Sequence, residues 1–260
     1  MDWQKKVEAH HEYVKAMAEE HNDYQVLWTS LVGSQNYGLE NDESDCDTFT
    51  IVLPNYFDFI SNTNLISFET EVSDGKCIVK DFRLMMNLLR KTSPNSVEVV
   101  ASHFKVVEPE YETIALTFFN PDTLFYLIHA NYRNMINAIA GLAHQVHSRN
   151  MTEGKRYPHI LRMADMYEQF MNNPRADKIL SFCYESGLDL ARTAKWDTKN
   201  DDYYHDEGLQ IAEELKLHAD MFVETNEIRS IQYTSNHTIN RLQFELTKKY
   251  LELNGFEYKE

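Results

Sequence analysis

Cysteine is scarce in this chain of 260 residues: Cys46, Cys77 and Cys183 make an odd set with no Cys-x-x-Cys spacing. That argues against a disulfide framework or a zinc knuckle, suits a reducing cytoplasm, and leaves the thiols as packing residues. No apolar run approaches the ~20 residues that span a bilayer, and Lys5-Lys6 is not followed by a hydrophobic signal region, so membrane insertion and secretion are not expected. Basic residues are also short: 25 Lys and Arg face 41 Asp and Glu, a formal net charge of −16. Broad non-specific DNA binding, which relies on many Lys and Arg, is disfavoured. Local basic strips remain possible at Lys80, Arg83, Arg90 and Lys91 and at Arg149, Lys155, Arg156 and Arg162, although most such charges are solvated helix faces. Internal repeats and low-complexity linkers are missing as well. What is present is the composition of an ordinary globule, 43% hydrophobic and 25% charged, long enough for one large domain or two modest ones.

Periodicity divides the chain near residue 108. Residues 2–21 put Trp3, Val7, Val14, Met17 and Ala18 on one helical face, which predicts a helix packed on a sheet. The adjacent His10 and His11 cannot share that face and are expected to be ordinary, partly exposed residues rather than a metal pair. Alternation at Tyr24, Val26 and Trp28 predicts a first strand, and Asp45 through Leu53 a second. Residues 55–64 read as a connecting helix or loop. Leu65–Val72 and Lys76–Phe82 flank Ser73-Asp74-Gly75 as a hairpin. Phe82–Lys91 is amphipathic, Ser93-Pro94 opens a helix over residues 95–102, and residues 104–107 read as a short edge strand. Beyond Pro109 the pattern is helical: one long helix from Asn120 to about Arg149, then Pro158–Met171, Pro174–Lys195, Glu207–Glu224 and Ser235–Leu253, the last stopped by Asn254-Gly255.

One stretch carries chemistry. The first strand runs into Gly33-Ser34, where a residue without a side chain lets backbone N–H groups approach an anion and a hydroxyl adds a further partner, an arrangement suited to a triphosphate. Beyond Tyr37-Gly38 and a polar turn, Asp45 and Asp47 open the second strand two positions apart, so both carboxylates face one way. Two hard oxygen ligands at that spacing suit Mg²⁺ or Mn²⁺ held against substrate phosphates.

Gly33-Ser34, Tyr37-Gly38, Ser44-Asp45 and Asp47 resemble the signature of the DNA polymerase beta nucleotidyltransferase superfamily. The nearest branch is the RNA repair pathway DNA polymerase beta family, which is echoed again in Lys80–Met85, in Ser93–Glu98 and, more weakly, in His159–Arg162. The resemblance covers roughly residues 24–170. It implies an α+β fold, with a catalytic domain over residues 1–108 built on a mixed β-sheet with flanking helices, and a helical domain over 109–260 facing it across a cleft. It also implies a cytoplasmic, Mg²⁺-dependent enzyme that transfers a nucleotide from an NTP such as ATP to an acceptor hydroxyl, with an RNA end as the first acceptor. A protein or small-molecule acceptor, or a silent nucleotide-sensing module, is the alternative. Enzymes of this superfamily take a third carboxylate from a neighbouring strand. Asp81 supplies it if the second hairpin strand runs antiparallel to the Asp45–Asp47 strand; Glu69 and Glu71 are alternatives, Asp81 could instead cap the helix after it, and Lys76 stands where relatives offer an acid. Asp45, Asp47 and Asp81 are thus the expected catalytic and metal residues. Gly33, Ser34, Lys155 and Arg162 are the expected phosphate contacts, with Tyr157 and His159 either assisting or packed.

Overall fold

Val-, Ile- and Thr-rich segments pair into a five-stranded mixed sheet in the order β3-β4-β2-β1-β5, comprising β1 (Tyr24–Val32), β2 (Asp47–Pro54), β3 (Ser67–Val72), β4 (Gly75–Asp81) and β5 (Lys105–Val107). This computed structural model describes residues 2–21, 23–40, 44–72, 74–148, 153–172, 188–196 and 201–256. β1 runs antiparallel to both β2 and β5, and β3 antiparallel to β4, whereas β2 and β4 are parallel. Helix α1 (Trp3–His21) lies across one face and buries Val7, Val14 and Ala18 there. The α+β fold is as expected.

Within β1 the expected alternation fails at Leu27, where a register shift lets Val26 face α1 while Trp28 faces the opposite core. The extra residue flips everything downstream, so Thr29 and Leu31 turn to α1. The short α2 (Tyr56–Ser61) fills the connection, capped by the Asn55 side chain accepting from the Asp58 N–H. α3 (Phe82–Lys91) and α4 (Pro94–Ala101) follow the hairpin, and Ser93 with Ser96 forms a reciprocal cap at the start of α4.

Past β5 come α5 (Glu112–Phe118), α6 (Pro121–Ile128), α7 (Tyr132–Ser148), α8 (Glu153–Asn172), α9 (Leu188–Trp196), α10 (Asp201–Met221) and α11 (Asn226–Leu253). The single helix expected from Asn120 to Arg149 is two helices. Asn131 restarts the chain as a cap, its Oδ1 accepting the Asn134 N–H at 2.9 Å while its own N–H goes to Thr92 Oγ1 at 3.1 Å. α8 begins before Pro158, and α11 starts nine residues earlier than Ser235, capped by Thr225. Of the helix expected over 174–195, residues 174–187 lie outside the described residues, as do Cys183 and Arg149.

The two halves share one core. Phe49, Ile51 and Leu53 of β2 join Met85, Leu89, Leu127, Ile139, Leu242 and Leu246 in a single apolar cluster. α11 packs along α6 and α3, and Tyr250 donates its hydroxyl to the Pro54 carbonyl at 2.7 Å. Among the described residues no helix is long and apolar enough to cross a membrane.

Candidate active site

β1 and β2 bring the Gly-Ser turn to the acids. Val32 pairs with Asp47, so Gly33-Ser34 leaves the sheet beside the first residue of β2, and the Gln35 side-chain amide donates to the Asp45 carbonyl. Gly33 has φ +107, a backbone conformation that L side chains rarely adopt, so the turn requires glycine there. The second strand begins at Asp47 and not at Asp45 as expected: Asp47 is half-buried on the sheet face turned to the helical half, while Asp45 is exposed on the loop that enters β2. Asp47 Oδ1 accepts the Lys76 N–H at 3.1 Å. Burial raises the Asp47 carboxyl above its ordinary range, the Lys76 N–H opposes this, and the neighbouring Asp45 charge adds to the rise. A cation between the two carboxylates would relieve that raised charge cost, so the pair fits a hard divalent ion.

Asp81 does not belong to this pair. The antiparallel arrangement that would bring it there is replaced by a parallel one, in which Asp81 sits beside Val52, at the far end of β2. Five strand positions separate Val52 from Asp47, roughly 17 Å and on opposite sheet faces. Asp81 is fully buried, accepts the Arg83 N–H at 2.8 Å as the cap of α3, and holds the Arg83 guanidinium at 2.6 and 2.9 Å. The side chain therefore serves α3, and Arg83 is a structural residue that also reaches the Asp58 and Thr63 carbonyls. Lys76 stands beside Asp47 where an acid was sought, and pairs with Glu71 at 3.5 Å. Glu71 lies two strands from β2, about 10 Å away, and Glu69 is further along the same strand.

The expected phosphate contacts divide. Arg162 is buried; its guanidinium lies 4.1 Å from the Tyr37 ring and 3.8 Å from Glu98 Oε2. Glu98, also buried, accepts the Gly33 N–H and, at 3.3 Å, the Asn36 side-chain amide. Arg162 thus braces the turn from behind, and the Gly33 N–H is already committed. Lys155 is exposed, and it stands near Lys195, whose ammonium is lowered by burial and by Lys155, with Glu40 opposing. Lys195 donates to the Leu39 carbonyl, and Arg192 Nε to the Gly38 carbonyl at 2.8 Å, so α9 clasps the turn. Tyr157 is fully buried against Tyr204 at 5.0 Å and packs the helical half, while His159 is half-buried.

No protein-family model and no curated protein matches this chain. Its reading rests on its own residues.

Sequence reasoning assigned no role to Glu98, Arg192 and Lys195. Glu98 had a signal, an acid inside Val97-Glu98-Val99-Val100 that helix burial forces inward; the two α9 cations had none. It also misjudged His10 and His11, both fully buried. His10 Nδ1 meets Thr48 Oγ1 at 2.9 Å and Nε2 meets Asp74 Oδ1 at 2.9 Å; His11 Nδ1 meets Thr29 Oγ1 at 3.0 Å and Nε2 meets Glu108 Oε1 at 2.8 Å. A helix crossing a sheet at close range can sink two adjacent side chains when each finds a polar strand partner. The three-ligand cluster that the described residues bring within 4.8 Å is His10, Cys46 and Asp74. Lys6 already neutralises Asp74 at 2.7 Å, and burial pushes the Cys46 thiol up to about 12, so this donor set suits a hydrogen-bonded anchor better than a metal.

Proposed function

We propose that the chain is a metal-dependent nucleotidyltransferase, passing a nucleotide from an NTP to an acceptor hydroxyl, with an RNA end as the acceptor. The observation that carries this reading is the pairing of Val32 with Asp47, which sets a glycine-requiring turn directly beside the first carboxylate of β2, with Asp45 on the loop that enters that strand. The resemblance noted in the sequence rests on the same residues.

Asp45 and Asp47 would hold Mg²⁺ or Mn²⁺, which when bound neutralises developing phosphate charge and favours the ionised acceptor oxygen. The Lys76 N–H fixes the Asp47 carboxylate, and Gln35 fixes the loop carrying Asp45. Ser34 presents its hydroxyl at the turn, which Glu98 and Arg162 hold from behind. Lys155 and Lys195 supply positive charge near the Gly38-Leu39 side of the turn, where phosphates would enter. With Asp81 tied to α3, Asp45 and Asp47 are the two carboxylates of this site that would hold the metal.

A protein or small-molecule acceptor is favoured by one observation: the expected basic strip is largely occupied. Arg83 is held by Asp81, Lys80 by Ser67 at 2.7 Å, and Arg90 by Asn240 and Gln243. Incubation of the protein with α-phosphate-labelled NTPs and either metal, in the presence of RNA, protein and small-molecule fractions, tests both. Label should enter RNA with wild type and not with the Asp45→Ala/Asp47→Ala variant. Label in another fraction would replace the acceptor, and labelling that survives the double substitution would sink the active-site assignment.

A further inference from the structure

The two edges of the sheet are built differently. β5 closes one side with three residues and opens on Lys105, short and charged as exposed edges usually are. β3 closes the other with six residues, and it has no proline, no lysine and no register shift against β4. Among the described residues no strand lies beyond it, and α1 lies over β1, β2 and β5.

The phase of the β3–β4 ladder decides which backbone groups are left over. The Asp81 N–H donates to the Ile66 carbonyl at 2.8 Å, and Ser67 is in register with Lys80. Bonded and non-bonded pairs alternate along an antiparallel ladder, so Phe68, Thr70 and Val72 bond to β4, while the N–H and C=O groups of Ser67, Glu69 and Glu71 point outward. These same three residues are exposed, and alternation puts their side chains on one face. On that face β4 presents Lys80 beside Ser67 and Lys76 beside Glu71, so a basic row is followed by an acidic one. Glu69 stands opposite Ile78 and makes no ion pair among the described residues. The other face is apolar: Phe68 and Val72 pack against the cluster of Val14, Val26, Val52 and Val79, yet stay half-exposed at its margin.

We propose that β3 is a docking edge for an extended segment of another protein in which Lys or Arg alternates with apolar residues. The segment adds antiparallel to β3, and its N–H and C=O groups meet the outward groups of Ser67, Glu69 and Glu71. Its basic side chains then face Glu69 and Glu71 as a third row of alternating sign, and the apolar ones between them cover the open flanks of Phe68 and Val72. A second copy of the chain fits poorly. The outward groups of both strands would belong to the same alternate residues, so the centred antiparallel pair sets Glu69 directly against Glu69, which destabilises a sheet. The net charge of −16 adds to that repulsion and favours a basic partner.

The test uses the full chain labelled with ¹⁵N and end-blocked peptides as long as β3. At millimolar concentration, a peptide of alternating lysine and valine should slow amide exchange at Ser67, Glu69 and Glu71 by at least about tenfold, with little change at Phe68, Thr70 and Val72, which are already bonded to β4. The same peptide methylated on the backbone nitrogens that face β3 keeps its charge, loses its donors and should give no such slowing. Glu69→Lys, at an exposed position, should weaken binding of the lysine–valine peptide at least about fivefold and admit an alternating glutamate–valine peptide that wild type rejects. Equal slowing by the methylated peptide, equal slowing by a peptide with its lysines in one block, or no slowing at the three outward amides would each overturn the proposal. Slowing at those amides that rises with protein concentration alone would also overturn it, by assigning the edge to a second copy.

Discussion

Two aspartates of one chain have opposite physical situations. Asp47 is held half-buried with Asp45 beside it, and its carboxyl is raised, so in the folded state its ionised form is disfavoured relative to the unfolded chain. A raised acid costs stability once pH exceeds its unfolded value, so Asp47→Asn should leave the melting temperature at pH 7 unchanged or higher, while metal-dependent nucleotide transfer falls at least ~100-fold. Asp81→Ala should do the reverse. It strips the cap from α3 and leaves the half-buried Arg83 without its carboxylate, a loss of roughly 3 kcal/mol in urea unfolding, with activity per folded molecule retained. If both variants lose activity at equal stability, the separation of their roles is wrong. Acid should act through another pair. Burial works to raise Asp74 and Glu108, but hydrogen bonds from Lys6 and His10, and from Lys15 and His11, prevail and hold both below their ordinary values. Lowered acids stabilise above their unfolded values and lose this as pH falls through the folded ones. Urea midpoints should therefore drop as pH falls below about 4, and less steeply in Asp74→Asn.

At the scale of elements, the hairpin is tied to β2 at a point where nothing larger than hydrogen fits. A Cβ on Gly75 would lie 2.2 Å from the Cys46 carbonyl oxygen, while the Cys46 N–H bonds the Asp74 carbonyl at 2.8 Å. Gly75→Ala should force the β3–β4 turn off β2 and cost more than about 2 kcal/mol in urea unfolding, with hydrogen exchange faster in β3 and β4 than in α7. Equal protection in both would mean that the turn absorbs the methyl group. The sequence showed this hairpin clearly, through Ser73-Asp74-Gly75 between two β-prone runs, yet not its direction relative to β2. Turn chemistry is local; which neighbour a hairpin docks on, and in which sense, depends on packing with α1 and α3. That single undetermined sense decided whether Asp81 reached the acids. Similar reasoning explains the two helices where one was expected, because the bond from Asn131 to Thr92 that interrupts the pattern spans 39 positions.

For the whole molecule, the division near residue 108 marks where strands give way to helices, while the apolar core continues across it. One cooperative calorimetric transition is expected, with the calorimetric and van't Hoff enthalpies equal; two resolved transitions would show halves that fold independently. The charge balance of −16, together with arginines already held by acids and amides, leaves few cations for a polyanion. An RNA end gripped by about two phosphate contacts should lose less than roughly tenfold in affinity between 50 and 200 mM salt, and a steeper fall would reveal a basic track outside the residues named here.

The sequence by itself determined the α+β order of elements, the amphipathic α1, the caps at Ser93 and Asn120, and the placing of Asp47 with Phe49, Ile51 and Leu53 on one face of β2, although the strand begins at Asp47 and leaves Asp45 in the loop before it. These are consequences of short-range periodicity and of steric preferences that each residue carries wherever it sits. Only the tertiary structure decided that β4 runs parallel to β2, that Asp81 serves α3, that Glu98 and Arg162 brace the Gly33 turn, and that His10 and His11 sink together against Thr48 and Thr29. Those outcomes rest on buried polar groups finding partners far along the chain, and the partner is chosen by which surfaces the packed core brings within hydrogen-bonding distance.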